Sequence, residues 1–314
     1  MDYKYCDYKG RYVTNAKEYL NATRNNCFNI KYDVRNRKKM IEEIEPLIDF
    51  NKSVDLYAFA RLLYEENDKY GITRCSSILD IIASWKYIPA IHLLGQLYYY
   101  GMSYEKDMDK FFELTKEAAD ANFMPAKNAL AYAYLNEEGC SLDVKKGLSL
   151  LNECVDANYG AGQYNVGYCY YTGSFGYSKD AKQAFNYYKI SADQYYAPGC
   201  YNVGLMYLSG IGCSKNVDKG IEYLTKAAYL GHMKSQKKLG DVYYFGEITK
   251  RNYNKAYEFY LLGAQSGDAY CMYSVGYMVV KKEVTGVDRY EGIRWLTKAI
   301  DEGYEDAQKL LDNL

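Results

Sequence analysis

Two short stretches of the chain carry residue types that an acyl-transfer enzyme would need. Ser103-Tyr104-Glu105-Lys106 and Ser235-Gln236-Lys237-Lys238 both match Ser-x-x-Lys, the motif in which a serine nucleophile has a lysine nearby. The accompanying motifs Ser-Asp-Asn and Lys-Thr-Gly are absent from the sequence, and the two matches occupy non-equivalent positions. A hydrolase acting on a β-lactam or a cell-wall amide is therefore an alternative, and we predict no catalytic residue.

The residues that could bind a metal ion, and the glycines that could bind a nucleotide, also form no complete motif. Nine cysteines include no Cys-x-x-Cys pair, and the two histidines, His92 and His232, lie far apart in the sequence. This pattern predicts no metal site, and free thiols favour a reducing cytoplasm. Gly210-Ile211-Gly212 has no preceding strand and no following Gly-Lys-Ser/Thr, so we interpret it as a turn between helices. We therefore expect no cofactor.

Charge and hydrophobicity limit the classes of partner. The 314 residues carry a formal net charge of −1, which provides no overall field to attract nucleic acid or an anionic membrane. No stretch approaches the roughly 20 apolar residues of a membrane span, and the first residues have no apolar segment of the secretory type. We expect a cytoplasmic protein that binds neither nucleic acid nor membrane.

The secondary-structure elements that position these residues can be predicted from a repeat in the sequence. A small residue, preceded by Leu or Val, recurs at positions 95, 131, 167, 204, 240 and 276, so the spacing is 36 residues except for one interval of 37. Tyrosine stands three residues later in five of the six units, and glycine six residues later in four. A second small pair follows 23 residues after the first, or 24 in the third unit, which predicts one inserted residue in the loop around residues 174 to 179.

Each unit therefore reads as two helices and two turns. Ala90, Leu94 and Tyr98 lie one turn apart and form an apolar stripe on the first helix. Glycine inside a helix costs about 1 kcal/mol relative to alanine, so its recurrence predicts the close approach of a neighbouring helix. The later glycine predicts a left-handed cap. Such helix pairs bury their apolar faces only by stacking on one another.

The chain resembles the Sel-one-like repeat family, which is related to tetratricopeptide repeats. The resemblance rests on Ala161-Gly162-Gln163-Tyr164-Asn165-Val166-Gly167 and on Asp218-Lys219-Gly220-Ile221-Glu222-Tyr223-Leu224-Thr225-Lys226-Ala227-Ala228. It implies an all-α fold, a right-handed α-solenoid of antiparallel helix pairs with a 36-residue period. We expect an N-terminal segment with a capping helix (1–54), a divergent repeat (55–89), six repeats (90–303) and a C-terminal capping helix (304–314). Residues 1–35 show no period, so we predict no regular structure there.

A partner-binding surface is predicted on the first helices. At 100° per residue, positions −3, +1 and +4 from the small residue face away from the predicted core, and tyrosine is common there. Tyrosine is enriched in interfaces because it offers a large rigid surface with one polar end. The alternative is that these rings pack between adjacent helices and are buried. The predicted binding residues are Tyr99, Tyr132, Tyr164, Tyr168, Tyr171, Tyr201, Tyr244, Tyr273 and Tyr277.

The favoured function is a non-enzymatic scaffold or adaptor that binds a partner protein or peptide on this surface. The resemblance implies this role, and the residues show no convergent set of titratable groups that would contradict it. Besides the hydrolase, a second alternative is an exported effector or virulence factor that binds a host protein. The sequence leaves the partner and the oligomeric state open.

Overall fold

The computed structural model describes residues 11–25, 30–66 and 68–314. These residues confirm the predicted helical fold, since they form seventeen α-helices and one pair of two-residue strands, β1 (Arg11–Tyr12) and β2 (Ile30–Lys31). The helices that precede the six repeats are α1 (Ala16–Arg24), α2 (Arg37–Ile44), α3 (Ser53–Glu66) and α4 (Lys69–Ser84). The paired helices of the repeats are α5 (Ile88–Tyr100), α6 (Met108–Asp120), α7 (Met124–Asn136), α8 (Val144–Asp156), α9 (Gly160–Thr172), α10 (Ala181–Asp193), α11 (Ala197–Ser209), α12 (Val217–Tyr229), α13 (Met233–Phe245), α14 (Tyr253–Gln265), α15 (Ala269–Val280) and α16 (Arg289–Asp301). The last helix is α17 (Glu305–Asp312).

The expectation of no regular structure before residue 36 is wrong for the part that the structure describes. Asn15 caps α1 by accepting a hydrogen bond from the Glu18 backbone N–H, while the Glu18 carboxylate accepts one from the Thr14 N–H at 2.9 Å. Arg24, at the end of α1, makes an ion pair with the buried Asp55 of α3. The buried residues Ala16, Tyr19, Leu20 and Thr23 follow helical spacing, but this short segment is not reinforced by the repeat.

The second helix of every repeat begins at a capping side chain. An Asp or Asn immediately before the helix accepts a hydrogen bond from a backbone N–H two or three residues later, which satisfies an otherwise unpaired donor. The six capping residues are Asp107, Asp143, Asp180, Asn216, Asn252 and Asp288. The loop before α10 spans residues 173–180, one residue longer than the loop before α8, which confirms the predicted insertion.

The recurring glycine within the first helix faces the second helix of the same pair, as predicted. A Cβ added to Gly240 would lie 2.3 Å from two ring carbons of Tyr260, and one added to Gly276 would lie 2.8 Å from the carbonyl oxygen of Gly292. No side chain fits at such distances, so close packing offsets the cost of a helical glycine.

The left-handed caps at the ends of the first helices are also confirmed. The residue six positions after the small one has a positive φ in every repeat, including the two where it is not glycine, Glu137 (58°) and Lys282 (58°).

The chain forms two compact units, which divide within α11. The first unit extends to Gly199, and a large part of its core joins α1 and α3 to the inner faces of α5 and α7. The second unit, Cys200–Leu314, has a core that includes Leu224, Leu239 and Val275. Within each unit, consecutive helix pairs pack side by side as an α-solenoid.

Candidate partner-binding surfaces

All nine predicted tyrosines retain accessible surface in the structure. Tyr132, Tyr168 and Tyr171 are exposed by 43%, 48% and 41%. The others are half-buried because their rings also contact neighbouring aromatic residues; the Tyr164 ring lies 5.4 Å from that of Tyr188. The surface is accessible, and its role in binding stays a prediction.

Two other residues at the positions expected to face outward are buried. His92 packs edge-on against Phe123 with ring centroids 5.7 Å apart, and burial, together with the Arg61 charge, lowers the pKa of His92 to about 4. Leu135 lies against Gly147 of the adjacent second helix. The outward face of the first helices is therefore narrower than simple helical geometry predicts, because Phe123 covers His92 and α8 covers Leu135.

A cavity of about 380 Å³ lies between α7, α8 and α9 in the first unit. It brings together Tyr132, Tyr164 and Tyr168, but its lining does not include Tyr171. We call it the α7–α9 cavity. Leu135, Leu151 and Phe175 supply apolar surface, and Asn136, Asn165 and Thr172 supply polar groups.

The polar groups of the α7–α9 cavity are held by local hydrogen bonds. The Asn165 Nδ2 group donates to Asn128 Oδ1 at 2.8 Å, which links α9 to α7. The Asn136 amide donates to the Tyr132 carbonyl at 2.9 Å. Burial, and to a smaller extent a hydrogen bond with Tyr132, raises the pKa of the Tyr99 hydroxyl. Fixed aromatic rings with a few oriented polar groups are typical of binding sites.

A second aromatic pocket lies within the second unit. Its volume is about 150 Å³, and we call it the second-unit pocket. Tyr244, Tyr273 and Tyr277 were predicted as binding residues, whereas the sequence analysis did not identify Tyr260 and Tyr270. Phe245, Ser274 and Met278 complete the lining.

Two carboxylates hold the hydroxyl groups of this pocket. Asp241 Oδ1 accepts hydrogen bonds from Tyr260 at 2.8 Å and from Tyr270 at 3.0 Å. Glu283 Oε1 accepts one from Tyr244 at 3.1 Å. Burial and then the charge of Asp241 raise the pKa of the Tyr270 hydroxyl to about 12.

Tyr260 occupies a position where three other repeats place leucine. Leu151, Leu224 and Leu296 stand at the same distance from the small residue of their units and are fully buried. A buried tyrosine hydroxyl at this position needs a partner, which Asp241 provides. A tyrosine in place of the repeat's leucine is therefore the signal that could have identified this residue from the sequence.

The Ser-x-x-Lys motifs do not form a nucleophile and base. The Ser103 hydroxyl lies 2.9 Å from that of Ser76, while the Lys106 ammonium lies over the Tyr99 ring. Ser235 lies 2.9 Å from His232 Nδ1, but its side chain has no exposed surface, so a substrate carbonyl could not reach it.

The residues that the structure describes show neither a metal site nor a disulfide. They contain no group of three or more His, Cys, Asp and Glu side chains that could hold a metal ion, and no disulfide joins their cysteines. Cys6 and Cys27 lie outside the described residues. No described helix has both the length and the hydrophobicity that a membrane crossing requires.

The repeats identify the class of this protein. The family model of the Sel1 repeat matches the chain six times, at residues 88–123, 125–153, 160–196, 197–232, 234–268 and 269–304. The chain belongs to the Sel1 repeat family, whose members are generally scaffolds for protein interactions. Among curated proteins, none matches the chain significantly in sequence.

Solved structures share this fold. A protective antigen of uropathogenic Escherichia coli with an SLR fold is 22% identical, with a TM-score of 0.55; the match covers 87% of this chain but only 59% of the antigen. A Sel1 repeat protein of Oxalobacter formigenes is 24% identical, with a TM-score of 0.56 and coverage of 76% and 99%. An immunity protein of Pseudomonas aeruginosa is 18% identical, with a TM-score of 0.54 and coverage of 72% and 86%.

The expectation that the chain binds no nucleic acid stays a prediction. The human IFIT1 dimer with m7Gppp-AAAA also shares the fold, at 13% identity and a TM-score of 0.50, with 94% of this chain and 70% of that chain covered. At these identities the likeness establishes the fold alone.

Proposed function

We propose that this chain is a non-enzymatic scaffold that binds a partner protein or peptide in the α7–α9 cavity of its first unit. The observation that carries the proposal is the convergence of Tyr132, Tyr164 and Tyr168 on one open cavity beside fixed amide groups. Accessible tyrosines in a concave site with oriented polar groups are the features of an interaction hot spot.

The charge balance and the burial of Ser235 support the scaffold over the alternatives; Ser103 is exposed, but the Lys106 ammonium of its motif lies over the Tyr99 ring. A net charge of −1 favours a protein partner over nucleic acid or an anionic membrane. The inaccessible Ser235 disfavours hydrolysis. A cytoplasmic location fits the absence of disulfides among the described cysteines. The likeness to an antigen of a pathogen keeps an exported effector as the second candidate, and that candidate would use the same surface.

Site-specific photo-crosslinking tests the proposal. A photo-reactive phenylalanine analogue at position 168, inside the α7–α9 cavity, should crosslink a specific partner in extracts of the native cell. The same analogue at Tyr70, which is 74% exposed on α4, is the control and should not. Equal crosslinking from both positions would count against a partner held at the cavity.

A further inference from the structure

Tyrosine rings make up most of the lining of the second-unit pocket. Its tyrosine rings meet at steep angles: the Tyr260 and Tyr270 planes are inclined by 73°, and those of Tyr244 and Tyr260 by 57°. The faces of aromatic rings carry negative electrostatic potential, and several faces around one space attract an organic cation. The structure already shows this attraction, since the Lys237 ammonium lies 4.1 Å from the centroid of the Tyr270 ring.

Two carboxylates lie next to the pocket, behind the hydroxyl groups of the tyrosines that line it. Asp241 and Glu283 accept hydrogen bonds only from tyrosine hydroxyls, and neither makes an ion pair with a described residue. The second oxygen of Glu283, Oε2, is buried and has no hydrogen-bond partner in the structure. Burying a carboxylate oxygen without a partner is costly, so Glu283 in particular favours a positively charged ligand nearby.

The volume of the pocket limits the ligand to a single small chemical group. A cavity of about 150 Å³ accommodates a molecule as large as benzene. A guanidinium or a methylated ammonium fits this space, whereas a folded domain or a base pair does not.

We propose that the second-unit pocket binds an organic cation, namely the arginine, lysine or methylated lysine side chain of a partner peptide. The inference rests on the proposed scaffold function for the peptide as the source of the cation. Tyr244, Tyr273 and Tyr277 provide the ring faces, and Asp241 and Glu283 provide the opposing charge. A free small amine would use the same chemistry, so the test separates the two sources.

The test measures binding to the full chain by calorimetry and saturation-transfer NMR. Choline is compared with 3,3-dimethylbutanol, which has the same shape without the charge. We expect choline to bind at least tenfold more tightly. Equal binding of the two, or no binding of either, would overturn the proposal, because the pocket would then be only apolar or closed.

Two variants assign the binding to the pocket. Asp241→Asn removes the charge but keeps an oxygen that accepts from both tyrosine hydroxyls, and should weaken choline binding at least tenfold. Tyr273→Leu should do the same, whereas Tyr273→Phe should retain affinity because the ring remains. Unchanged binding by both Asp241→Asn and Tyr273→Leu would overturn the assignment.

The source of the cation is identified with peptides that contain arginine, lysine or trimethyl-lysine and are acetylated at the N-terminus and amidated at the C-terminus. A peptide that binds at least tenfold more tightly than choline supports a partner side chain, whereas tighter binding of free choline contradicts that part of the proposal. Because this pocket lies in the second unit, a failed crosslink at position 168 would not contradict cation binding in the pocket. Likewise, a failure of choline to bind would not contradict a partner in the α7–α9 cavity.

Discussion

At the residue scale, one aromatic ring explains the glycine at position 240 and shapes a pocket. Tyr260 packs on Gly240 and donates its hydroxyl to Asp241, so two constraints fix the ring. The ring cannot move aside without breaking the hydrogen bond. The same rigidity that requires glycine at position 240 therefore shapes one wall of the second-unit pocket.

Gly240→Ala should destabilise the protein by about 1–3 kcal/mol, because the added methyl group overlaps a held ring. Gly95→Ala is the matched control at the equivalent position of another repeat, where the nearest atoms lie at 3.3 and 3.4 Å. We expect that change to alter the free energy of unfolding by less than about 1 kcal/mol. Urea unfolding followed by circular dichroism measures both, and equal losses would contradict the packing argument.

His92 should make the stability depend on pH. Its pKa is about 4 in the folded protein, below the ordinary value of 6.5, because it is buried near Arg61. The unfolded chain therefore binds more protons between these values, so the His92 contribution is present above pH 6.5 and is lost as the pH falls toward 4.

His92→Phe should remove about 2 kcal/mol of the stability change between about pH 7.5 and pH 5. Urea unfolding of both proteins across this range measures the difference, and His232, present in both, cancels. If the free energy of unfolding changes with pH in the same way in both proteins, His92 does not have the lowered pKa that its burial predicts.

At the element scale, the helix pairs were predictable because their packing and turn rules repeat six times. The small residues at 95 to 276 predicted the close helix contacts, and the later glycines predicted the left-handed caps. Helix α1 was missed because it occurs once and is short. The Asp and Asn residues that cap the second helices also repeat, so their spacing marks where each second helix begins.

Glu137→Gly should stabilise the protein by about 1 kcal/mol. Glu137 ends α7 with a φ of 58°, a left-handed conformation that is strained for a residue with a Cβ atom and free of strain for glycine. Gly173→Ala reverses the change at the same cap of α9, where φ is 75°, and should destabilise by a similar amount. Thermal and urea unfolding measure both; a loss of stability in Glu137→Gly would contradict the cap assignment.

At the scale of the whole molecule, the sequence predicted which tyrosines remain accessible better than which of them share a cavity. The nine tyrosines remain accessible, yet only Tyr132, Tyr164 and Tyr168 converge on the α7–α9 cavity. That convergence depends on side-chain packing between neighbouring repeats, which a periodic pattern does not specify. Tyr260 lies on a second helix, α14, whereas the predicted surface comprises residues of the first helices only.

The central claim is that the α7–α9 cavity holds the partner. Its most direct test is the affinity of the partner crosslinked through position 168 for the purified wild-type chain, Tyr168→Ala and Tyr171→Ala. The two tyrosines lie on the same helix with similar exposure, but only Tyr168 lines the cavity. We predict that Tyr168→Ala weakens binding at least tenfold, or about 1.4 kcal/mol, and that Tyr171→Ala changes it less than about twofold. Wild-type affinity in Tyr168→Ala would contradict the account.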